Sequence, residues 1–443
     1  MSTIAPPADR TVSTTRIAVA SFIGTAIEFY DFYIYGTAAA LVLGKLFFPT
    51  FSALAGTLAA FATFGVGFVA RPIGAVIFGH FGDRTGRKAM LVTSLLVMGT
   101  GTVAIGLLPT YGTVGIAAPV LLVLCRFLQG VGLGGEWGGA VLLATEYAPR
   151  GKRGLWSSFP QMGPAIGFIV AGGSFLLLGR VMDDAAFESW GWRIPFLASA
   201  ALVVVGYYIR MRIAETPVFR EAMDRNERTK APIVDVVRRQ GATLALSTCA
   251  FILAHTLFYT ITTFALSYGT TVLDLDKDML LLCAMAAALV LGLATPVLAV
   301  LSDRIGRRTV CLSAGILAAL WAYPMFALIN TGEPLLIGLA MAIGMLAFAA
   351  LYGPMGAFLP EMFATRYRYT GASVAYNASG IVGGGVTPVL ATQLVASTDS
   401  SVPVSGYIVV IALISAVCVW FLKETHTTDL GYDPAAAPDH GQG

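Results

Sequence analysis

Residues 79–88 read GHFGDRTGRK, and residues 299–308 read AVLSDRIGRR. The shared core is Asp83-Arg84-x-Gly86-Arg87-Lys88 against Asp303-Arg304-x-Gly306-Arg307-Arg308. Each copy lies in a polar break between two long apolar runs. Glycine permits a tight turn and close helix approach. The basic residues hold the break in water, and the aspartate can meet a helix N-terminus or an arginine and tie two helices together. A single copy is explained by a basic turn that only sets topology. Two copies at equivalent places argue for two related halves. A second pair supports the repeat: Glu146 with Arg153, and Glu361 with Arg368.

Outward from these breaks the chain is apolar. Of 443 residues 56% are hydrophobic and 12% charged, against about 25% charged in soluble domains. A hydrocarbon core of about 30 Å needs roughly 20 apolar residues per helix. Such runs occur near 17–43, 53–79, 89–108, 115–141, 155–178 and 194–211, then near 242–272, 279–301, 309–329, 335–358, 371–396 and 404–422. Strand-length alternation is absent, which argues against a β-barrel. The first 15 residues are polar, and the first apolar run is long and holds two acids, so it reads as a retained helix rather than a secretory signal. The expectation is an all-α membrane protein of twelve transmembrane helices in two pseudo-symmetric six-helix bundles. Its parts are a tail at 1–15, a bundle at 16–212, a linker of mixed charge at 213–240, a second bundle at 241–424 and a tail at 425–443.

An even number of crossings puts both termini on one side. Of the 28 lysines and arginines, 22 fall in the tails and even-numbered loops, so the positive-inside rule places both termini in the cytoplasm. Trp190 and Trp192 are expected in an interfacial belt at the outer start of the sixth helix. The net charge of +3 gives no reason for a nucleic-acid partner. The five cysteines lie in apolar runs without metal-ligand spacing and read as small buried hydrophobes, so no metal site is expected.

Charges inside spans are costly unless paired or hydrated, which makes each a functional candidate. The candidates are Glu28, Asp31, Arg71, Arg126, Glu136 and His255. Glu28 and Asp31 share a helix face, ~18–22 Å along the helix from Arg16. Two carboxylates in a low-dielectric site do not both ionise easily, so one is expected to carry a proton, unless both are locked in ion pairs with arginines. Their spacing does not rank them. Arg71 and Arg126 can each grip an anionic substrate with parallel hydrogen bonds or neutralise the acids, and pairing is the favoured role of Arg126. Glu136 lies in GLGGEWGGA, where small residues allow close helix packing. It reads equally as a structural partner of a basic loop or as a proton relay member. The formal G-x-G-x-x-G at 130–135 follows no strand and is no dinucleotide signal. Arg193 reads as an interfacial anchor or as an entrance residue for anions, and His255 as a packing residue or a titratable one. Tyr30, Tyr33, Tyr259, Tyr352, Tyr376 and Asn377 are candidate cavity residues.

The repeated loops resemble the signature of the major facilitator superfamily, with Ala299 in place of the first glycine in the second copy. TAIEFYDFYIYG (25–36), FVARPIGAVIFGHFGDRTGRK (68–88), CRFLQGVGLGGEWGGA (125–140), WGWRIPF (190–196) and LPEMFATRYRYTGAS (359–373) resemble its metabolite:proton symporter family. That family includes bacterial permeases for shikimate, α-ketoglutarate, citrate and proline or betaine. The resemblance implies the major facilitator fold and proton-coupled uptake of a small carboxylate or zwitterion across a bacterial cytoplasmic membrane by alternating access. The proton gradient would drive it without a cofactor, and transporters of this kind can work as monomers. Asp83, Arg84, Gly86, Arg87, Lys88, Glu146 and Arg153, with Asp303, Arg304, Gly306, Arg307, Arg308, Glu361 and Arg368, would then form a cytoplasmic gate.

Three other readings compete: proton-coupled efflux, a membrane-embedded enzyme and a passive channel, the last of which saturable, proton-driven accumulation would exclude. Gly163-Pro164-x-x-Gly167 resembles an antiporter motif, but Phe168 follows where that motif has glycine, so proton-coupled efflux is second. A membrane-embedded enzyme is disfavoured: the sequence has no P-loop, no paired metal-ligand motif and no Gly-x-Ser-x-Gly elbow.

Overall fold

The computed structural model describes residues 14–85, 87–149, 151–211, 232–364 and 368–428, with the backbone alone at 14, 16, 17, 79, 82–85, 87, 88 and 232. Twelve spans are long and apolar enough to cross a membrane: α1 (Ala18–Phe47), α2 (Ala53–Phe78), α3 (Ala89–Leu107), α4 (Ala117–Glu146), α5 (Arg153–Val181), α6 (Gly191–Met211), α7 (Ile233–Thr271), α8 (Lys277–Ile305), α9 (Arg307–Ile329), α10 (Pro334–Met362), α11 (Arg368–Thr398) and α12 (Val402–Phe421). All twelve coincide with the apolar runs, and no strand occurs among the described residues. Successive crossings alternate direction. The breaks after α2, α4, α8 and α10 therefore share one face with the described chain ends, here the terminal face. The breaks after the odd-numbered helices share the far face.

Several spans are irregular where glycine or tight packing demands it. π-helical turns interrupt α1 at Ala39–Leu43, α7 at Thr260–Phe264 and α11 at Ile381–Val386. Such turns concentrate at functional places in helices. The α11 turn contains three consecutive glycines. A side chain at Gly383 or Gly384 would strike α7 at Ile252 and His255, or Phe68 of α2. The glycines of α4 work similarly: a side chain at Gly130 or Gly134 would meet the backbone of Gly67 or Arg71 in α2. The small residues between 130 and 134 therefore serve close helix packing, as their composition predicts.

Two element boundaries differ from expectation. The stretch ending at 240 is helical from Pro232, and α7 continues through a non-helical Gln240 (φ −131°, ψ 30°). Asp235, Arg238 and Arg239 mask that helix from a hydropathy reading. Gln240 donates to the Met362 carbonyl at 3.3 Å and accepts from the Ala364 N–H at 3.2 Å, which fixes the kink against the end of α10. Trp192 is fully buried against Phe47 and Phe196 rather than lying in an interfacial belt, whereas Trp190 is exposed.

Candidate functional site: a buried charge relay beside an aromatic centre

α1 turns both its acids toward α6, and the two receive different partners. Glu28, 2% exposed, is ion-paired with Arg210 in the last turn of α6. The same guanidinium pairs with Glu136 of α4 and donates to the Leu91 carbonyl of α3. One cation thus ties four helices. Buried charge in such a clamp is tolerable only because it is paired. Arg210 gives no site signal in the sequence, because it stands at the edge of the polar linker, where its charge reads as a loop charge. Arg71 and Arg126 were the expected partners, and neither contacts Glu28. Glu136 is a structural partner, but of a membrane arginine rather than of a basic loop, and it does not reach the central cavity.

Asp31 is wholly buried and has no basic partner among the described residues. Its Oδ1 accepts from Ser199 Oγ at 2.5 Å, and its Oδ2 has no hydrogen-bond partner among the described residues. Its backbone carbonyl accepts from Gln129 Nε2 at 3.0 Å. Gln129 also donates to Thr102 Oγ1 at 2.7 Å and accepts from Arg126 Nη1. Gln129 therefore links the Asp31 segment to Arg126. Ser199 and Gln129 were not among the expected site residues, because neutral side chains in apolar helices give no charge signal.

The two remaining arginines are buried among rings rather than carboxylates. Arg71 lies 4.2 Å from the Phe32 ring centroid and 4.3 Å from that of Phe68, and its Nε and Nη2 have no hydrogen-bond partner among the described residues. Arg126 lies 3.8 Å from the Tyr35 centroid and 4.8 Å from that of Phe32. The expected pairing of Arg126 with an acid is not found among the described residues. Aromatic faces offer a cation about 0.5–2 kcal/mol each, less than a carboxylate would in the same place. Both guanidinium groups thus keep unspent positive potential.

Between the halves lies a small cavity of about 10 Å³, lined by Tyr33, His255, Tyr259, Tyr352, Tyr376, Pro164 and three phenylalanines. That volume is about one water, so the halves are drawn together on their centre. Five of the candidate residues meet here. Others do not. Tyr30 donates to the Pro195 carbonyl at 3.0 Å and packs α1 on α6. Asn377 donates to the Gly134 carbonyl at 3.0 Å and joins α11 to α4. Arg193 donates to the carbonyls of Gly106 and Leu108 at 2.9 and 2.5 Å, capping α3 at the far face and away from the cavity. Tyr30 and Asn377 are cavity candidates by residue type alone, which does not tell which helix face a side chain occupies, and Arg193 takes the anchoring one of its two expected positions.

The terminal face is closed by contacts across the halves. Asp303 of α8 accepts from the N–H groups of Gly154 and Leu155 at 2.9 and 3.1 Å, at the N-terminus of α5, and pairs with Arg307 at 2.6 Å. The aspartate thus meets a helix N-terminus and an arginine together. Arg307 and Arg153 both reach Glu361, at 3.3 and 3.8 Å. Gly306 has φ +103°, which only glycine adopts easily, and a side chain there would strike Glu424. Glu424 accepts from the N–H groups of Arg307 and Arg308, both at 2.9 Å. Burial pushes its carboxyl up, but hydrogen bonds from the N–H groups of Arg307, Arg308, His426 and Thr425 outweigh that and hold it below the usual range. Residues 425–428, expected in a free tail, are part of the closure: Thr425 Oγ1 donates to Glu361 at 2.7 Å, and Arg153 Nη1 to the Thr428 carbonyl at 2.6 Å. Arg308 donates to the Trp420 carbonyl at 2.6 Å, Arg368 to the carbonyls of Pro360 and Phe363, and Arg304 is exposed. Glu146 ends α4. The first copy, Asp83, Arg84, Gly86, Arg87 and Lys88, lies outside the residues whose side chains are described.

Comparison with known proteins fits this architecture. Residues 17–246 match the family described as Sugar (and other) transporter, and residues 273–437 match the Major Facilitator Superfamily. The inner membrane metabolite transport protein YhjE of Escherichia coli K12 is 45% identical over 94% of this chain and 96% of its own length. The chain belongs to the major facilitator superfamily. Within the superfamily, the shikimate transporter of E. coli K12 is 39% identical over 93% of this chain and 94% of its own. A proline/betaine transporter of the same organism is 35% identical over 95% and 86%. Among solved structures, a D-xylose-proton symporter superposes with a TM-score of 0.74 at 16% identity, over 93% of this chain and 98% of that one. It supports the fold alone.

This superfamily member is therefore a multi-pass membrane transporter, with relatives that are metabolite transporters, and not an enzyme. The motif resemblance to the metabolite:proton symporters agrees with those relatives.

Proposed function

We propose that the chain imports a small organic acid together with protons across a bacterial cytoplasmic membrane, with its terminal face in the cytoplasm and the monomer as the working unit. The observation that carries the proposal is the contrast between Asp31, a buried carboxyl outside any ion pair among the described residues, and Arg71 and Arg126, which have no carboxylate partner among the described residues, Arg126 being joined to the Asp31 backbone through Gln129.

Protonation of Asp31 breaks no salt bridge, unlike protonation of Glu28, so Asp31 is the proton carrier and Glu28 is the structural acid. An ionised Asp31 offsets the positive potential of the arginines. Once it takes a proton, that potential is free to attract an anion, and the two ligands bind in support of each other. Arg71 takes the carboxylate, since two of its N–H-bearing nitrogens have no partner among the described residues and its guanidinium lies by the Tyr259 hydroxyl at the cavity edge. The halves then rock about this centre, and parting of the Asp303, Arg307 and Glu361 contacts releases both ligands on the cytoplasmic side. The gradient supplies the driving force, and no step calls for a cofactor. The Gly163 and Gly167 positions, where the sequence resembles an efflux motif, are spent on packing α5 against α1 at Thr25, Ala26 and Tyr30.

The test is uptake into proteoliposomes under an inward proton gradient. Asp31→Asn is expected to lose gradient-driven accumulation, by at least ~100-fold for a residue essential to coupling, while retaining exchange of labelled for unlabelled substrate. Gradient-driven accumulation by Asp31→Asn at the wild-type level would remove Asp31 as the carrier. Outward pumping by the wild type would overturn import.

A further inference from the structure

We propose that the transported acid carries hydroxyl groups, and that His255 and Tyr352, both from the second half, read them. This rests on the proposed organic-acid symport and names its substrate class.

The argument turns on which nitrogen of His255 holds the ring proton. Nδ1 has two neighbours: the Phe251 carbonyl at 3.3 Å and Ser379 Oγ at 3.3 Å. The carbonyl is an acceptor only. The Ser379 hydroxyl already donates to the Tyr376 carbonyl at 2.7 Å, so toward the histidine it too offers only lone pairs. Two acceptors facing Nδ1 require its N–H. In the neutral ring Nε2 is then a bare acceptor. His255 is 6% exposed, lines the central cavity, and its Nε2 has no partner among the described residues. The Tyr352 hydroxyl lines the same cavity, with the Tyr376 hydroxyl and the Trp137 indole N–H near it but no well-formed hydrogen bond among the described residues. Buried polar atoms are normally satisfied, so these two await a group that arrives with the substrate.

A bare acceptor selects what that group is. It repels a carboxylate and takes only an O–H or N–H. An ammonium is a donor, but the positive charge of Arg71 acts on His255, and no carboxylate lines the cavity among the described residues. A hydroxyl meets the requirement without like-charge repulsion. The substrate is thus held across the interface. Its carboxylate lies on Arg71 of the first half and its hydroxyl on His255 and Tyr352 of the second, with its carbon skeleton against the rings of Tyr33, Tyr259 and Tyr376. Filling both walls at once also draws the halves together, which a carboxylate alone would not do.

The test uses matched pairs of acids that differ only in hydroxyl groups: shikimate against cyclohexene-1-carboxylate, and malate against succinate. Glycine betaine is the zwitterionic comparison. Each is measured for gradient-driven uptake and for competition in proteoliposomes containing the full chain. The wild type is expected to prefer the hydroxylated member of at least one pair by ~10-fold or more, as a site built to bond a hydroxyl does. His255→Phe should bring that preference to within about twofold. Tyr352→Phe, which removes a single oxygen and preserves the ring, should reduce it several-fold and covers the case in which the histidine variant does not pack. Equal transport of both members, preference for betaine, or full preference retained in both variants would overturn this inference and leave the symport standing. Gradient-driven uptake of none of the acids would overturn the symport and this inference with it.

Discussion

The two faces of the molecule hold their charges differently. At the terminal face, Arg307 and Glu361 have side chains 1% and 0% exposed, and Asp303 is 7% exposed. At the far face, Lys45 pairs with Glu188 and Lys277 with Asp184 at side-chain exposures of 71% and 40%, and of 35% and 87%. The pair of Arg180 with Asp278, 62% and 25% exposed, is longer, at 3.7 Å. The far-face pairs stand around a cavity of 630 Å³ between the ends of α1, α5, α7 and α8. Each face has contacts that cross between the halves, Arg153 with Glu361 at the terminal face and Lys277 with Asp184 and Arg180 with Asp278 at the far face, but only the buried set is shielded from water and salt. Charges in water can be exchanged at little cost, whereas a buried network holds or breaks as a unit. The terminal face is therefore the committed closure in this conformation, and the far face a hydrated rim that rearranges readily.

The sharpest way to break that comparison is to remove one member of the buried network. Glu361→Ala leaves the buried Arg307 guanidinium with Asp303 as its one carboxylate partner among the described residues and is expected to cost about 3 kcal/mol, the low end for breaking a buried pair. The check is the thermal midpoint of the purified protein, with alkylation of a cysteine placed at Ser157 speeding up as the face loosens. Asp303→Asn removes the charge from the α5 N-terminus and part of its hydrogen bonding, and should cost about 1.5–3 kcal/mol in the same two measurements. Acid reaches the same network through Glu424. Its carboxyl is held below the usual value in the folded chain, so it stabilises the fold above pH ~4.3, and that contribution is lost as the pH falls through its lowered value. Glu424→Gln should therefore loosen the face at neutral pH and flatten its further loosening in acid, read by the same alkylation. Smallest of all, Lys277→Ala at the far face should change stability by under about 1 kcal/mol, with the difference vanishing as salt is raised. A far-face loss as large as that of Glu361→Ala would erase the distinction between the faces.

Much of this architecture is legible in the sequence, because its cause is local. Twelve runs of sufficient apolar length yield twelve spans, and the paired Asp-Arg-x-Gly-Arg motif marks a structural closure in its described copy. The site is less legible, because its decisive relations are between helices. Glu28 and Asp31 are three residues apart and chemically alike, and only their partners on α6, Arg210 and Ser199, separate them. Arg210 was hidden by its position, one residue from the end of a span, where hydropathy assigns charge to water. Gln129 and Ser199 were hidden by neutrality. Tyr30, Asn377 and Arg193 were overrated because aromatic, amide and guanidinium groups pack and cap helices as readily as they bind ligands.

One contact has an experimental use. The Trp137 indole of the first half stacks on the Tyr376 ring of the second, centroids 3.9 Å apart and planes 7° from parallel. The indole N–H donates to Gln161 at 2.8 Å, which holds it in register. When the halves part on this side, the stack must open and the indole exchanges a ring face for solvent. Its share of the emission of the six tryptophans, isolated as the difference between wild type and Trp137→Phe, then reports the conformational cycle from within without an added label.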